Sequence, residues 1–174
     1  MKKETGAPRD ICEKLQFKTV EGIERLEFLL LEYRFFRDSE KGSALLLNLH
    51  WLPSPLSLVF HIVKSRALTL LKLPCYFIEL ETNVIGLFAF QECHGSLIVA
   101  SLGVAKAYRR LGIGTRILSY VEAIARYMGK RLLEVDVLAK NIPAQRLYAK
   151  YGFTLTSNER FPYLMKGKKP LVNY

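Results

Sequence analysis

The second half of the chain alternates short apolar runs with turn-forming residues, a pattern typical of strands joined by tight turns. The runs at 75–81 and 84–92 are rich in β-branched and aromatic residues, and Thr82-Asn83 between them predicts a hairpin turn. Further runs of this kind predict strands at 15–20, 96–104, 131–138, 153–156 and 161–166.

Helical periodicity fills the intervals between these strands. Residues 21–37 and 56–72 predict two helices. A third helix is predicted over 112–127, with Gly129 as its C-terminal stop and an apolar stripe formed by Ile113, Ile117, Tyr120, Val121, Ile124 and Met128. Asn141 can cap a fourth helix that Gly152 ends. The chain therefore predicts one α/β domain over residues 1–174, with a mixed sheet and helices on both faces.

One segment raises the question of a membrane span. Residues 42–63 contain no Asp, Glu, Lys or Arg, and their length would permit a span. Pro53 and Pro55 lie in the middle of the segment and favour two helices joined by a turn. We expect no membrane span here. We expect this segment to lie in the protein core, as apolar runs usually do. The alternatives are that it lines the acceptor pocket or forms a dimer surface.

The cysteines indicate the cellular compartment. Cys12, Cys75 and Cys93 form an odd set without metal-ligand spacing, which argues against a disulfide framework and against a zinc site. No apolar signal core follows Met1. We therefore expect a cytoplasmic protein without a metal.

Two glycines one residue apart, Gly112 and Gly114, open the third predicted helix directly after Arg109 and Arg110. Unpaired N–H groups at a helix start bind anions, and glycine lets an anion approach the backbone closely. Ile117 stands where a dinucleotide-binding fingerprint requires its third glycine, and no P-loop lysine is present. The stretch predicts a pyrophosphate cradle, with an ordinary glycine-rich helix entry as the alternative.

The net charge of +10 belongs mostly to the half that contains this loop. Residues 1–87 hold 12 basic and 11 acidic residues, whereas residues 88–174 hold 14 and 5. Such a field attracts an anionic ligand. Nucleic-acid binding and a solvated basic surface without a partner are the alternatives.

Four segments in this order, 101–104, 109–114, 132–138 and 141–153, resemble the GNAT superfamily of acyl-CoA-dependent N-acyltransferases. The resemblance is specific over about residues 84–167. It implies the GNAT fold, a mostly antiparallel central sheet that is splayed at the coenzyme A site and has helices on both faces. It also implies an N-acetyltransferase, in which a primary amine attacks the thioester of acetyl-CoA directly and no metal takes part.

The resemblance also implies which residues hold acetyl-CoA. Backbone groups of Leu102 and Val104 would pair with the pantetheine arm, and the Asn141 side chain would bind the arm while capping its helix. The pyrophosphate would lie against the loop formed by Arg109, Arg110, Leu111, Gly112, Ile113, Gly114 and Thr115.

Tyr148 matches the position where the family commonly carries its general acid. Its helical spacing with Leu147 and Tyr151 also fits plain core packing. Some relatives carry a basic glutamate on the strand before the loop, but residues 96–104 contain no carboxylate. The candidates for the base are Glu79, Glu81, Glu92 and His94.

The absence of a carboxylate from residues 96–104 indicates which kind of amine the protein accepts. An α-amine with a pKa of ~7.7 to 8 needs a weaker base at neutral pH than a lysine with a pKa of ~10.4. A protein N-terminal α-amine or a small amine is therefore the expected acceptor. The alternatives are a non-catalytic acyl-CoA-binding or regulatory module and, less favoured, a nucleic-acid-binding protein. Monomer and homodimer both stay open.

Overall fold

Strands and two helices make up most of the described chain. The computed structural model describes residues 13–22, 24, 27, 28, 31, 73–158 and 161–171. The helices are α1 (Ile113–Tyr127) and α2 (Ile142–Lys150), and a 3-10 turn at Lys106–Tyr108 precedes α1. The strands are β1 (Leu15–Thr19), β2 (Cys75–Leu80), β3 (Asn83–Cys93), β4 (Ser96–Val104), β5 (Leu132–Leu138), β6 (Thr154–Ser157) and β7 (Leu164–Pro170).

All seven strands belong to one sheet with the order β1-β2-β3-β4-β5-β7-β6. Every neighbouring pair is antiparallel except β4 and β5, which run parallel. A parallel pair needs a crossover, and α1 supplies it. The predicted mixed, mostly antiparallel sheet is confirmed.

We call the side of the sheet that α1 and α2 cover the α1 face. Ile117 and Val121 of α1 are fully buried in one cluster with Phe88 of β3 and Val135 of β5. Tyr148 of α2 lies in the same cluster. The predicted apolar stripe of α1 therefore packs against the sheet as its 3.6-residue period requires.

The opposite face of the sheet carries a second, smaller core. Phe77 of β2 and Leu87 of β3 are buried there with Phe28 from the N-terminal region. The rings of Phe28 and Phe77 lie 5.9 Å apart, centroid to centroid. Phe28 is helical, as are Glu24 and Leu31. The prediction of helices on both faces is confirmed.

The last strand begins three residues later than predicted. Residues 161–163 form a turn, in which the Phe161 N–H donates to Asn158 Oδ1 at 3.0 Å and the Leu164 N–H donates to the Phe161 carbonyl at 2.8 Å. Pro162 between them has no N–H to offer a neighbouring strand. The prediction of a strand from residue 161 was therefore wrong, and β7 starts at Leu164.

The hairpin between β2 and β3 also differs by one residue. Its turn residues are Glu81 and Thr82 rather than Thr82 and Asn83. Glu81 has a positive φ of 58°, and Asn83 already pairs with Leu80. Turn residues with positive φ are needed in tight hairpins, and here a glutamate takes that conformation.

Several sequence predictions lie outside the described residues. These are the helix at 56–72, the uncharged segment at 42–63 and most of the helix at 21–37. Among the helices that the structure does describe, none combines the length and apolarity that crossing a membrane requires.

Candidate active site

β4 and β5 separate halfway along β4. Their pairing joins residues 96–99 with 132–135 and stops there, although β4 continues to Val104 and β5 to Leu138. The pairing of β4 with β3 skips Ala100, which is the extra residue of a β-bulge. Bulges bend the strand that carries them. The result is a cleft between the C-terminal ends of β4 and β5.

The backbone of Leu102 and Val104 faces this cleft. On the other side of β4, the Ala105 N–H donates to the Ile85 carbonyl of β3 at 2.8 Å. Backbone groups alternate in direction along a strand, so those of Val104 and Leu102 point away from β3. Because β5 has separated from β4 at this level, these groups line the cleft and can bond an extended ligand.

Arg109 ties the loop after β4 to the end of that strand. Its Nε donates to the Val104 carbonyl at 2.9 Å, and the side chain is half-buried. The Val104 carbonyl is thus already bonded within the protein, while Leu102 offers both backbone groups. Arg109 acts as a positioning residue for the loop, whereas Arg110 is exposed.

Two left-handed residues shape the turn that leads into α1. Arg110 has a φ of 68° and Gly112 a φ of 83°. The Arg116 N–H donates to the Gly112 carbonyl at 3.0 Å, which opens the ladder of α1. The N–H groups of residues 113–115 precede this bond and have no acceptor within the helix. A concave turn at the positive end of a helix suits an anion.

Gly114 serves a different purpose from Gly112. A Cβ added at Gly114 would lie 2.9 Å from Cδ2 of Leu147 on α2. The missing side chain therefore lets α2 approach the start of α1 closely. Gly112 thus supplies a backbone conformation and Gly114 supplies helix packing. That both glycines let an anion approach stays a prediction.

Two amides fasten α2 to the end of β5. Asn141 Oδ1 accepts from the Ala144 N–H at 3.3 Å, which confirms its capping role. Gln145 Nε2 donates to the carbonyls of Leu138 and Ala139 at 3.1 and 2.7 Å. Sequence reasoning missed Gln145, because a glutamine in the first turns of a helix is too common to single out.

Tyr148 lies in the core beside the cleft. Its side chain is 7% exposed, and its ring packs edge-on against Phe153 with a centroid distance of 5.6 Å. Burial raises the pKa of Tyr148 to about 12. The Tyr148 hydroxyl therefore stays protonated throughout the physiological pH range. A tyrosine whose ring packs in the core can still donate a hydrogen bond from this hydroxyl to a ligand.

Comparison with protein families identifies the family to which the chain belongs. The family model for the acetyltransferase (GNAT) family matches residues 33–153, a stretch that covers most of the chain. The chain belongs to the GNAT family. The prediction of a GNAT acetyltransferase is thereby confirmed at the level of the family. No curated protein gives a significant match.

Solved GNAT structures share the fold. The PaiA N-acetyltransferase from Thermoplasma acidophilum, in complex with coenzyme A, is 17% identical with a TM-score of 0.70, covering 90% of this chain and 99% of its own. An acetyltransferase from Thermus thermophilus is 20% identical with a TM-score of 0.68, covering 91% and 97%. A GNAT acetyltransferase from Elizabethkingia anophelis with acetyl-CoA bound is 16% identical with a TM-score of 0.60, covering 91% and 99%.

Two of the predicted base candidates lie far from the cleft. Glu92 and His94 are at the β3–β4 hairpin, the end of β4 opposite to Val104. The eight residue steps along β4 between these ends correspond to about 26 Å. Glu92 Oε1 also pairs with Lys130 Nζ at 2.6 Å. The structure does not bring Glu92 or His94 to the GNAT cleft.

The other two candidates lie at the correct end of the sheet but on β2 and its turn. β2 is two strands from β4, about 10 Å at the usual strand spacing. Glu79 is half-buried and faces the side opposite to α1, level with Val84. Glu81 is exposed in the turn. Glu79 is therefore the one of the four candidates that both lies at the cleft end of the sheet and is half-buried.

The described residues contain no cluster that could hold a metal ion, counted as three or more His, Cys, Asp or Glu side chains. Neither Cys75 nor Cys93 forms a disulfide within the described residues, and the Cys75 thiol donates to the Leu73 carbonyl at 3.4 Å.

Proposed function

We propose that this GNAT protein transfers the acetyl group of acetyl-CoA to a primary amine by direct attack. The observation that carries the proposal is the cleft between β4 and β5, with its unpaired strand edge on one side and Tyr148 on the helix beside it. An extended amide-bearing arm can add to such an edge as an extra strand would. Two of the similar solved proteins hold coenzyme A or acetyl-CoA.

Each part of acetyl-CoA has a matching group in this chain. The amides of the pantetheine arm would bond the backbone of Leu102 and the N–H of Val104. The pyrophosphate would lie in the loop from Arg109 to Thr115, where backbone N–H groups and the helix dipole favour negative charge. The Asn141 Oδ1 is used by the cap, so its amide nitrogen would serve the arm.

Tyr148 would assist departure of the thiolate. The amine forms a bond with the thioester carbon, the C–S bond breaks, and negative charge develops on sulfur. With a pKa of about 12, Tyr148 is a weaker acid than a thiol of pKa ~8.5, so complete transfer would cost roughly 5 kcal/mol before the charge is desolvated. A hydrogen bond to the developing charge is therefore its main contribution, with the proton following as the sulfur charge grows.

A protein N-terminal α-amine is the acceptor we favour over a lysine side chain. Neutralising an α-amine at pH 7 costs about 1 to 1.4 kcal/mol, against roughly 4 to 5 kcal/mol for a lysine. The exposed aromatic pair Phe161 and Tyr163, with centroids 5.8 Å apart, lies beside the C-terminal end of β5, where the Ala139 N–H donates to the Tyr163 carbonyl at 2.9 Å. These rings offer a surface to a peptide. We assign the activity to the cytoplasm.

The test combines binding and transfer. Coenzyme A at millimolar concentration should raise the melting temperature of the protein, since it binds the folded state only. With acetyl-CoA and a library of peptides with free N-termini, mass spectrometry should detect acetylated α-amines. Acetylation confined to small amines would remove the peptide acceptor, and coenzyme A binding without any transfer would favour the non-catalytic module. No thermal shift would count against the proposal as a whole.

A further inference from the structure

One buried hydroxyl at the cleft lacks a partner. Ser101 is 4% exposed, and its Oγ is the sole buried side-chain polar atom without a hydrogen bond in the described ranges. Leaving a buried hydroxyl unpaired costs about 1 to 3 kcal/mol. Such a cost at a cleft indicates a group that is satisfied when a ligand is bound.

Ser101 lies beside the point where β4 and β5 separate, on the face opposite to α1. It pairs with Ala89, whose side chain belongs to the core of that face. It follows directly after the bulged Ala100, two residues beyond the last residue of β4 that pairs with β5. The hydroxyl therefore stands on that face where the strands begin to separate.

Asp136 stands across the opening on β5. It is the first residue after Val135, the last residue of β5 paired with β4. Val135 faces α1, and side chains alternate along a strand, so Asp136 is on the same face as Ser101. Asp136 is exposed. The bulge at Ala100 is what brings Ser101, rather than an apolar residue, to this face.

Asp136 attracts the nearby Lys166 ammonium but makes no direct ion pair with it within the described residues. Lys166 is its partner across β5 and β7, but Lys166 Nζ bonds Glu134 at 2.9 Å. Glu134 also receives a hydrogen bond from Ser96, so it is held on the paired part of β5. Within the described ranges, Asp136 forms no ion pair of its own. It therefore presents a carboxylate to the cleft mouth.

We infer that Ser101 and Asp136 form the subsite that binds the ammonium group of the acceptor, an inference that rests on the proposed acetyl transfer. Asp136 attracts the cation to the opening, and the ammonium group loses its first proton to solvent. Ser101 Oγ accepts a hydrogen bond from the amine nitrogen and holds it at the opening. After the nitrogen has attacked the thioester carbon it loses its second proton to solvent. The C–S bond breaks, Tyr148 gives a proton to the coenzyme A sulfur, and Tyr148 regains one from solvent. The sum is amide, free thiol and one released proton.

Two variants test the subsite and a third serves as control. Asp136→Asn removes the charge at nearly constant shape, and Ser101→Ala removes a hydroxyl that has no partner to lose. Glu92→Gln changes an exposed carboxylate of β3 at the end of the sheet away from the cleft. Thermal unfolding and coenzyme A affinity of each variant show whether the fold and the cleft are intact.

The binding measurement uses the coenzyme A complex and two probes, a tripeptide amide with a free α-amine and its N-acetylated form. The unmodified protein should bind the free amine at least 10-fold more tightly, and Asp136→Asn should abolish that preference while Glu92→Gln keeps it. No preference in the unmodified protein, or a preference retained in Asp136→Asn, would overturn the inference.

The turnover measurement separates this inference from the proposed function. With the peptide that the unmodified protein acetylates, Asp136→Asn and Ser101→Ala should raise the acceptor KM about 10-fold or more and leave the coenzyme A affinity within twofold. Unchanged KM values with normal turnover would overturn the subsite and leave the transferase standing. A protein that binds the free amine selectively but transfers no acetyl group would contradict the proposed function and support the subsite.

Discussion

Leu147 Cδ2 of α2 would lie 2.9 Å from a Cβ on Gly114 of α1, so a single missing side chain sets how closely the two helices meet. Leu147 directly precedes Tyr148, and α2 is fastened at its other end by the Asn141 cap and by Gln145. The packing of α2, and with it the position of Tyr148, therefore depends on the glycine at residue 114.

Gly114→Ala should destabilise the protein by about 1 kcal/mol, because the added methyl displaces the Leu147 side chain. It should also lower kcat, since α2 carries Tyr148. Urea unfolding and steady-state kinetics measure both effects. In the double variant Gly114→Ala with Leu147→Ala, the clash disappears, so the loss from the glycine substitution should shrink. Equal losses in both backgrounds would show that Leu147 is not the obstacle.

Gly112→Ala should weaken coenzyme A binding, because alanine in a left-handed conformation costs about 1 kcal/mol and the turn relaxes to avoid it. Gly129→Ala is the matched control. Gly129 has a φ of 67° with open space around its Cβ position, but it lies at the far end of α1. Both variants should lose similar stability, and only Gly112→Ala should raise the calorimetric Kd for coenzyme A. A similar Kd in both would remove the loop from the binding site.

Glu122→Gln should cost about 2 kcal/mol of stability at pH 7 and much less at pH 3. Burial alone would raise the pKa of Glu122, but hydrogen bonds from Lys169, Arg126 and Tyr151 outweigh burial and lower it. The Lys169 Nζ is 2.6 Å away. A depressed folded pKa stabilises above the unfolded pKa of ~4.3, and this contribution is lost as the pH falls through the folded pKa.

Urea unfolding of both proteins at the two pH values measures this difference. Glu92→Gln is the control, because the Glu92 side chain in its pair with Lys130 is 57% exposed and such pairs contribute 0 to about 1 kcal/mol. A Glu122→Gln cost that does not change between pH 7 and pH 3 would show that the carboxylate charge is not what stabilises the fold.

Tyr148→Phe should reduce kcat about 100-fold or more and leave the coenzyme A Kd within twofold, since the ring keeps its packing against Phe153. Tyr120→Phe is the control. Tyr120 is half-buried on α1 and its ring stacks on Phe17 at 4.3 Å, within the core of the α1 face. A kcat that is unchanged in Tyr148→Phe would remove this tyrosine as the acid.

The pattern of apolar residues was sufficient to predict the strands and helices of the second half of the chain. The helix α1 buries a regular apolar stripe, and the central strands are continuous apolar runs because both of their faces are buried. It failed at Phe161, whose aromatic side chain favours a strand while Asn158 and Pro162 enforce a turn. Local side-chain hydrogen bonds decided that boundary, and propensity does not register them.

The site was predicted in part, because its backbone elements have sequence signals and its carboxylates do not. The glycine-rich helix start and the Asn141 cap follow from local rules. The distance of Glu92 from the cleft follows from register, which the sequence does not contain. The sequence does not indicate Ser101, because a bulge at Ala100 changes the face on which this side chain lies.

A crystal structure of the protein with acetyl-CoA tests the central claim most directly. We predict the pantetheine arm between β4 and β5 on the backbone of Leu102, the pyrophosphate against the N–H groups of residues 112–115, and the thioester sulfur within hydrogen-bond distance of the Tyr148 hydroxyl. Acetyl-CoA bound elsewhere on the protein, or bound in the cleft with its sulfur out of reach of Tyr148, would contradict the account.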